Sequence, residues 1–199
     1  MYACKDLATG EAAIEELTGV KAEFGGAHPG AGTHNSLLSF GDERYLEIIA
    51  PDPNQTLVGN LGEELSSSGD GGRIHTWAAA TDDLDHVAQL ASEFGYRHRR
   101  IAMSRVRPDG AQLAWELLFI DGHPFGHCMP FFIDWQQSPH PSYDSPGGCR
   151  LESFTVSIDK LIETFRDFAV ALHLEISIKM GSTAMMASIN SPNGKVLLR

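Results

Sequence analysis

The sequence predicts an α+β protein built from repeated βαβββ modules. Three segments share one pattern, in which a short apolar strand is followed by a polar step, a leucine and a helix. Their marker leucines, Leu7, Leu84 and Leu161, are separated by 77 residues in both intervals. Strand-like runs joined by turn-forming residues follow each helix. Equal spacing is not expected of unrelated amphipathic segments, and the period is too long for a solenoid repeat.

The three predicted helices each carry apolar residues three and four positions apart, which indicates one buried face per helix. The stripes are Ala13, Ile14, Leu17 and Val20 in the first helix, Leu84, Val87, Leu90 and Ala91 in the second, and Leu161, Phe165, Phe168 and Leu172 in the third. Gly19 and Gly95 are expected to end the first two helices, because glycine adopts the left-handed conformation that commonly closes a helix.

Strands are predicted after each helix. "NSLLSFGDERYLEIIAPD" predicts a hairpin with Gly41 and Asp42 near its turn, and "RIAMSRVRPDGAQLAWELLFI" predicts a second hairpin closed by residues 107–110. "MPFFIDW" supplies another strand, and "ISIKMG", "TAMMASI" and "KVLLR" supply three more. "PDPNQTLVGNLGEELSSSGDGG" and "QQSPHPSYDSPGG" are interpreted as linkers, because both are rich in polar and turn-forming residues.

These elements predict one domain over residues 1–199, with a first module at about 1–53, a second at about 73–135 and a partial third at about 149–199. A single module would leave sheet edges uncovered, so the modules are expected to fold together as one cooperative domain.

Composition narrows the classes of partner and compartment. The chain is 42% hydrophobic and carries a net charge of −11, which disfavours binding to nucleic acid or to an anionic membrane surface. Neither a membrane span nor a signal peptide is expected, because no segment is long and apolar enough for the first and the N-terminal residues lack the pattern of the second. Cys4, Cys128 and Cys149 lie far apart without CxxC spacing, so neither a zinc knuckle nor a disulfide framework is expected. Reduced thiols and a cytoplasmic location are predicted.

The stretch "GGAHPGAGTHN" (residues 25–35) is the most unusual part of the sequence. It is either a flexible connector or a loop that borders a site, because His28, His34 and Asn35 stand beside glycines that let a ligand approach the backbone. In "YLEII", Glu47 is either a solvent-facing edge residue or a base or ligand in a cleft, since a buried carboxylate needs a partner. In a tight hairpin, Leu37 or Leu38 would lie opposite Glu47.

Further candidate binding residues lie in the second module. His75 shares a predicted strand face with Trp77, and the alternative is a buried histidine bonded to the backbone. Glu116 in "LAWELLFI" is either a site carboxylate or half of a cross-strand salt bridge. Asp134 and Trp135, at a strand end, either hold a ligand or form a structural corner.

The segments "GGAHPGAGTHNSLLSFGDERYLEIIAPDP", "WAAATDDLD", "RPDGAQLAWELLF" and "PFFIDW" resemble the glyoxalase-like branch of the vicinal oxygen chelate superfamily. The resemblance implies curled mixed sheets around a cleft between paired modules, with the helices outside. It also implies a divalent metal in that cleft. Glu47 and His75 match two ligand positions. No histidine precedes Tyr2, and the apolar part of "MPFFIDW" offers no ligand, so the set is incomplete where a catalytic metal needs three.

The resemblance implies one of two functions. The first is an enzyme, of lyase, isomerase or dioxygenase type, that acts on a small oxygenated or carbonyl compound. Glu47 would be its base, with His34 or His75 as acid–base or ligand partner, and His34, Asn35 and Glu47 would point into the cleft. The alternative is a binding protein that sequesters a small molecule without chemistry. A small-molecule ligand is the expected partner, and a homodimer stays an open alternative.

Overall fold

The computed structural model describes residues 1–67, 71–106 and 112–199. Four α-helices, thirteen strands and two short 3₁₀ helices occur in these ranges. The strands and α-helices are, in chain order, β1 (Tyr2–Ala3), α1 (Leu7–Thr18), β2 (Glu23–His28), β3 (Thr33–Gly41), β4 (Arg44–Pro51), α2 (Leu61–Ser66), β5 (Arg73–Ile74), β6 (Ala78–Ala80), α3 (Leu84–Glu93), β7 (Arg97–Val106), β8 (Gln112–Asp121), β9 (Phe131–Asp134), β10 (Arg150–Ile158), α4 (Ile162–Ala171), β11 (Ser177–Met180), β12 (Ala184–Ser191) and β13 (Gly194–Leu198).

The chain forms two compact units. The first comprises Met1–His75, His140–Glu152 and Ala187–Arg199, and the second comprises Thr76–Pro139 and Ser153–Met186. No helix in the described ranges reaches the length and apolar character that crossing a membrane requires.

Two sheets repeat one strand order. In the first sheet, β2-β3-β4-β1-β5, the opening strand β1 lies parallel to β4, with Tyr2 opposite Ile48. In the second, β7-β8-β9-β6, the opening strand β6 lies parallel to β9, with Ala78 opposite Phe131. Both sheets also contain antiparallel pairs, so the predicted α+β fold with βαβββ modules and mixed sheets is confirmed.

The third βαβββ run has the same order of elements along the chain but a different order of strands. Its sheet is β11-β10-β12-β13, and β10 lies parallel to β11, with Thr155 opposite Ser177. Helix α4 therefore connects two neighbouring parallel strands, as in an ordinary βαβ crossover. The equal leucine spacing predicted the elements but not their pairing, because spacing reports element length alone.

Helix α1 buries a different stripe from the one that the sequence predicts. Leu7, Gly10, Ile14 and Thr18 are buried, whereas Leu17 is 44% exposed. Thr18 tolerates burial because its hydroxyl donates a hydrogen bond to the Ile14 carbonyl at 2.7 Å. The predicted cap is confirmed at Gly19, whose φ of 73° is left-handed.

A glycine in the middle of α1 lets the helix lie close to the sheet. A Cβ atom at Gly10 would overlap the Cys4 sulfur and approach Ile48 Cγ2 to 3.0 Å. We therefore expect Gly10→Ala to lower the free energy of unfolding by about 1–3 kcal/mol, as overpacked cores do. Alanine's better helix propensity, worth about 1 kcal/mol, offsets only part of that loss.

Denaturant unfolding of four proteins tests this expectation: wild type, Gly10→Ala, Cys4→Ala and the double variant. Removing the Cys4 sulfur takes away the worst overlap, so the double variant should be less destabilised than the two single losses combined. Strict additivity, or a stable Gly10→Ala protein, would contradict the close approach.

Burial also controls the chemistry of Cys4. Desolvation, aided by the negative charge of Asp6, raises the pKa of its thiol from 9.0 to about 11. The unfolded thiol ionises at lower pH than the folded one, so the folded state loses stability as pH rises from 9.0 towards about 11. A shift of this size corresponds to roughly 2–3 kcal/mol.

We expect Cys4→Ala to show a smaller loss of stability than wild type over that alkaline range. Slow alkylation of Cys4 by iodoacetamide at about pH 8 should accompany it, because the thiolate is the reactive form. Rapid alkylation under native conditions, or identical pH profiles for the two proteins, would count against a buried protonated thiol.

The core of the second unit lies between its helices and sheets. Leu84 and Val87 of α3 pack with Phe165 and Phe168 of α4 and with Leu118 of β8. The predicted stripe of α3 is confirmed at Leu84, Val87 and Ala91.

In α4 the prediction is wrong at its first residue. Leu161 precedes the helix with φ 54° and is 57% exposed, and Ile162 is buried instead. The left-handed residue turns the chain before the helix starts, so the buried stripe begins one position later. Strands β7 and β8 form the predicted hairpin. Its turn, predicted at residues 107–110, lies outside the described residues.

Candidate functional site

The β3–β4 hairpin brings Asn35 and Glu47 to one face of the first sheet. Leu37 lies opposite Glu47 and Asn35 lies opposite Ile49, so the predicted register is confirmed. Residues directly opposite each other share a face, and side chains alternate along a strand. Asn35 and Glu47 are therefore diagonal neighbours on the same face.

A β-bulge in β2 brings His28 to that face as well. Phe24 lies opposite Ser36, the register shifts between Phe24 and Gly26, and His28 lies opposite Thr33. With regular alternation along β2, His28 would lie on the same face as Phe24. That is the face on which Ser36 contacts Glu11 of α1. One extra residue reverses the alternation. Gly26, with φ 136°, has a conformation suited to glycine.

Three polar side chains meet there. The Asn35 amide nitrogen donates to Glu47 Oε1 at 2.6 Å and lies 3.2 Å from His28 Nε2. His28 Nε2 is 3.7 Å from the same Glu47 oxygen, and His28 Nδ1 is 2.9 Å from the Thr33 hydroxyl. Only 15% of the His28 side chain and 13% of the Glu47 side chain are exposed. We call His28, Asn35 and Glu47 the His–Asn–Glu cluster.

The position of the Asn35 carbonyl oxygen lowers the stability of the folded state. Asn35 is 4% exposed, and its Oδ1 is buried with no hydrogen-bond partner among the described residues. A buried unsatisfied acceptor costs about 1–3 kcal/mol. A Cβ atom at Gly25 would overlap this oxygen, so only glycine leaves room for the amide at the bulge. Gly25 was missed as a functional position, although a glycine pair inside a strand pattern is a signal for a bulge.

His34 does not join the cluster. It lies opposite Ala27 and Ala50, one residue from Asn35, and so belongs to the other face of β3. Its ring contacts the ring of Phe24, edge to face, with centroids 6.2 Å apart. His34, Asn35 and Glu47 were predicted to point the same way, and the structure brings Asn35 and Glu47 together. His28 lies beside them instead of His34. A catalytic role for His34 stays a prediction, and the structure places Glu47 on the opposite face of the sheet from it.

The stretch from residue 25 to 35 is mostly strand rather than loop. Only Pro29–Gly32 form the turn between β2 and β3. The following segment holds this turn in place: Gly62 N donates to the Ala31 carbonyl at 3.0 Å, and Gly30 N donates to Gln55 Oε1 at 3.1 Å. The segment predicted as a plain linker therefore contains a helix, α2, and anchors the turn.

Helix α2 also covers the sheet beside the cluster. Its Leu65 is 1% exposed and packs with Ala3 and Ile49. Glu64 Oε1 lies 3.4 Å from Nε2 of His75, which is 3% exposed and whose backbone N–H donates to the Met1 carbonyl. His75 is therefore buried with a carboxylate beside its ring, and a ligand-binding role for it stays a prediction.

The other predicted site residues lie in the second unit. Glu116 and Asp134 are directly opposite each other on β8 and β9, and both are half-buried. The residue directly opposite Glu116 on its other side is Ala102. Asp134 Oδ1 accepts a hydrogen bond from the Gln136 N–H at 2.7 Å.

The two predicted tryptophans have packing roles in that unit. The indole N–H of Trp77 donates to the Cys128 carbonyl at 2.8 Å, and its ring packs against Phe154. Trp135 packs against Trp115 with ring centroids 5.4 Å apart. Ligand binding by Trp77, Glu116, Asp134 and Trp135 stays a prediction.

Comparison with known proteins decides the family. The family model described as "Glyoxalase-like domain" matches residues 1–170 of the chain. The chain belongs to this glyoxalase-like domain family. The predicted resemblance is thereby confirmed. The match includes both modules that share a strand order and ends within α4, before most of the differently ordered third sheet.

Several solved structures are similar to the chain at low sequence identity. The chain is 18% identical to a hypothetical protein from Staphylococcus aureus, with a TM-score of 0.60 over 89% of this chain and 75% of that one. A methylmalonyl-CoA epimerase in complex with methylmalonyl-CoA and NH4+ is 19% identical, with a TM-score of 0.48 over 70% and 94%. The methylmalonyl-CoA epimerase from Mycobacterium tuberculosis is 18% identical, with a TM-score of 0.45 over 68% and 84%. A search of curated protein sequences found no significant match.

The metal that the glyoxalase-like resemblance implies does not fit the His–Asn–Glu cluster. Glu47 Oε1 and His28 Nε2 are two ligand atoms, and the Asn35 amide N–H group lies against both. An amide nitrogen donates hydrogen bonds and does not ligate a metal. A catalytic metal needs three protein ligands. The 77-residue spacing aligns Tyr2 with Ala79, and these residues lie opposite Ile48 and Phe132, respectively. The residue before each partner is Glu47 in the first module and the apolar Phe131 in the second.

Proposed function

We propose that this glyoxalase-like domain binds a small oxygenated or carbonyl compound at the His–Asn–Glu cluster, and that Glu47 takes a proton from it. The alternative is a protein of the same fold that binds such a compound without chemistry. Both follow from the family, and they differ in whether Glu47 acts as a base or only as an acceptor of hydrogen bonds.

The burial and the contacts of the Glu47 carboxylate support this proposal. Its side chain is 13% exposed, and Asn35 and His28 contact its Oε1. Burial lowers the pKa of the Met1 ammonium, and the charge of the nearby Glu47 carboxylate opposes that shift. A fixed, largely desolvated carboxylate is suited to proton abstraction.

The proposed step is abstraction of a proton from the carbon next to a carbonyl group. The C–H bond breaks and its proton passes to the Glu47 carboxylate. The electron pair of that bond forms a C=C bond, and the carbonyl π pair moves onto oxygen to give an enolate, which is an enediolate where the carbon bears a hydroxyl. Return of a proton from Glu47 to carbon restores a neutral product. His28 and Asn35 hold Glu47 in place and exclude water from its inner oxygen.

Deuterium exchange tests this step. Hydroxyacetone and dihydroxyacetone are incubated with the protein in D2O, and loss of the hydroxymethylene proton signal is followed by NMR. Exchange above the buffer rate that disappears in Glu47→Gln supports the enzyme. Saturable binding without exchange supports the binding protein. Exchange that is unchanged in Glu47→Gln would refute the assignment of Glu47 as the base.

A further inference from the structure

We propose that Asn193 is a site of spontaneous deamidation, and that its conversion to a carboxylate detaches the β12–β13 hairpin from helix α1. Asn193 lies in the turn of this hairpin and Gly194 begins β13, and both residues are exposed. The turn and α1 belong to the same compact unit, the first.

The residues at this turn favour the reaction. Asn193 is the only asparagine in the sequence that a glycine follows. The backbone nitrogen of Gly194 is therefore placed, along the chain, where it can close a ring with the side-chain carbon of Asn193. A Cβ atom at Gly194 would meet no atom of the described residues within 4 Å beyond its chain neighbours, so this side of the backbone is open. Asparagine is also one of the chemically labile residue types.

The covalent change has two steps. The Gly194 nitrogen loses its proton and attacks Asn193 Cγ, the new N–C bond forms, and the Cγ–Nδ2 bond breaks. The departing amide group takes up a proton and leaves as ammonia, and the chain retains a succinimide ring. Water, the only co-reactant, then opens the ring at either carbonyl group, which gives an aspartate or an isoaspartate at position 193.

In the folded protein the Asn193 amide contacts the end of α1. Its Nδ2 donates to the Glu16 carbonyl at 3.0 Å, and the Asn193 backbone N–H donates to the Thr18 carbonyl at 3.4 Å. A Cβ atom at Gly19 would lie 2.7 Å from Asn193 Oδ1, so the glycine that ends α1 also leaves room for this amide. The contact holds the group that must leave, and the hairpin must open before the ring can close.

A carboxylate at position 193 does not reproduce this contact. An ionised carboxylate only accepts hydrogen bonds, so it has no donor for the Glu16 carbonyl. The C-terminal end of a helix carries a partial negative charge, and the last turn of α1 contains no basic residue that would compensate it. The end of α1 therefore attracts the amide and repels the product.

Peptide mapping by mass spectrometry tests the site. The full chain is stored at mildly alkaline pH, and each asparagine is followed for the mass gain of an amide that becomes a carboxyl group. We expect Asn193 to convert while Asn190, exposed on the same hairpin but followed by serine, keeps its amide. Retention of the Asn193 amide over the time in which guanidinium-unfolded chain converts, or equal conversion of Asn190, overturns the proposal.

Two glycine variants test the protecting contact. Gly19 and Gly95 both have left-handed backbones, with φ of 73° and 78°, so alanine strains both positions alike. A Cβ atom at Gly19 displaces the Asn193 amide, whereas one at Gly95 meets no atom within 4 Å in the described part of the chain. Folded Gly19→Ala should deamidate at least about threefold faster than folded Gly95→Ala, because local opening controls the rate. Equal rates overturn protection by α1.

Two aspartate variants test release of the hairpin, also if Gly19→Ala does not fold. Asn193→Asp is one of the two reaction products, and we expect its midpoint temperature of unfolding to fall by about 2–4 °C. Asn190→Asp places the same charge on the same hairpin, opposite Lys195, and should leave the midpoint unchanged. Faster amide hydrogen exchange in β12 and β13 should accompany Asn193→Asp alone. Equal midpoints and equal exchange in the two variants overturn the release.

Discussion

Glu47→Gln is expected to lower the rate of proton exchange from a hydroxy ketone by two to four orders of magnitude. General base catalysis contributes about 10²–10⁴-fold, and glutamine has no basic oxygen. The change is nearly isosteric, and the glutamine carbonyl still accepts the Asn35 hydrogen bond, so the fold should persist. The measurement is the initial exchange rate by NMR, with matched unfolding curves to show that the variant is folded.

Glu11→Gln is the matched control for this prediction. Glu11 is also a partly buried carboxylate in the first unit, and it contacts Ser36 from α1 on the other face of the same sheet. Its substitution should leave the exchange rate within a factor of about two. If both variants lose the same activity, the effect is one of stability and the assignment of Glu47 as a base fails.

Phe165→Ala should be among the most destabilising single changes in the second unit. The side chain is fully buried, and its ring centroid lies 5.0 Å from that of Phe125. Removing a buried phenylalanine leaves a cavity and costs about 3–5 kcal/mol. Many domains have a total stability of only about 5–15 kcal/mol, so the variant should unfold at a much lower temperature.

Val170→Ala provides the control on the same helix. Val170 is 73% exposed, so its truncation should change the free energy of unfolding by no more than about 0.5 kcal/mol. Denaturant unfolding of the two variants separates core packing from helix propensity, because both place alanine within α4. Equal effects would show that Phe165 is not part of a packed core.

Local patterns predicted a large part of the first module. The turn at Gly41 and Asp42 and the alternation in "YLEII" placed Leu37 opposite Glu47, because hairpin register follows directly from turn position. The glycine that ends α1 and the hairpin of β7 and β8 were predicted for similar local reasons. The family was predicted from short segments that extend over most of the chain, and it is confirmed.

Which side chains form the cluster depends on one extra residue in β2, and a regular alternation of strand residues does not predict it. An extra residue at Gly25 exchanges the faces of β2, so His28 joins Asn35 and Glu47. His34 was predicted to act with Glu47, but it is one residue from Asn35 and therefore belongs to the opposite face. A bulge depends on what the neighbouring strand places beside it, here the Asn35 side chain, which sequence spacing does not report.

The sequence by itself determined helices α1, α3 and α4, the register of the β3–β4 hairpin and the presence of a carboxylate and an amide on one sheet face. These features depend on periodicity and turn chemistry within a few residues. Tertiary structure alone decided the strand order of the third run, the helix at Leu61–Ser66, the buried stripe of α1 and the choice of His28. Each of these depends on contacts between residues far apart in the chain, whose free energies exceed the weak local preferences that a sequence displays.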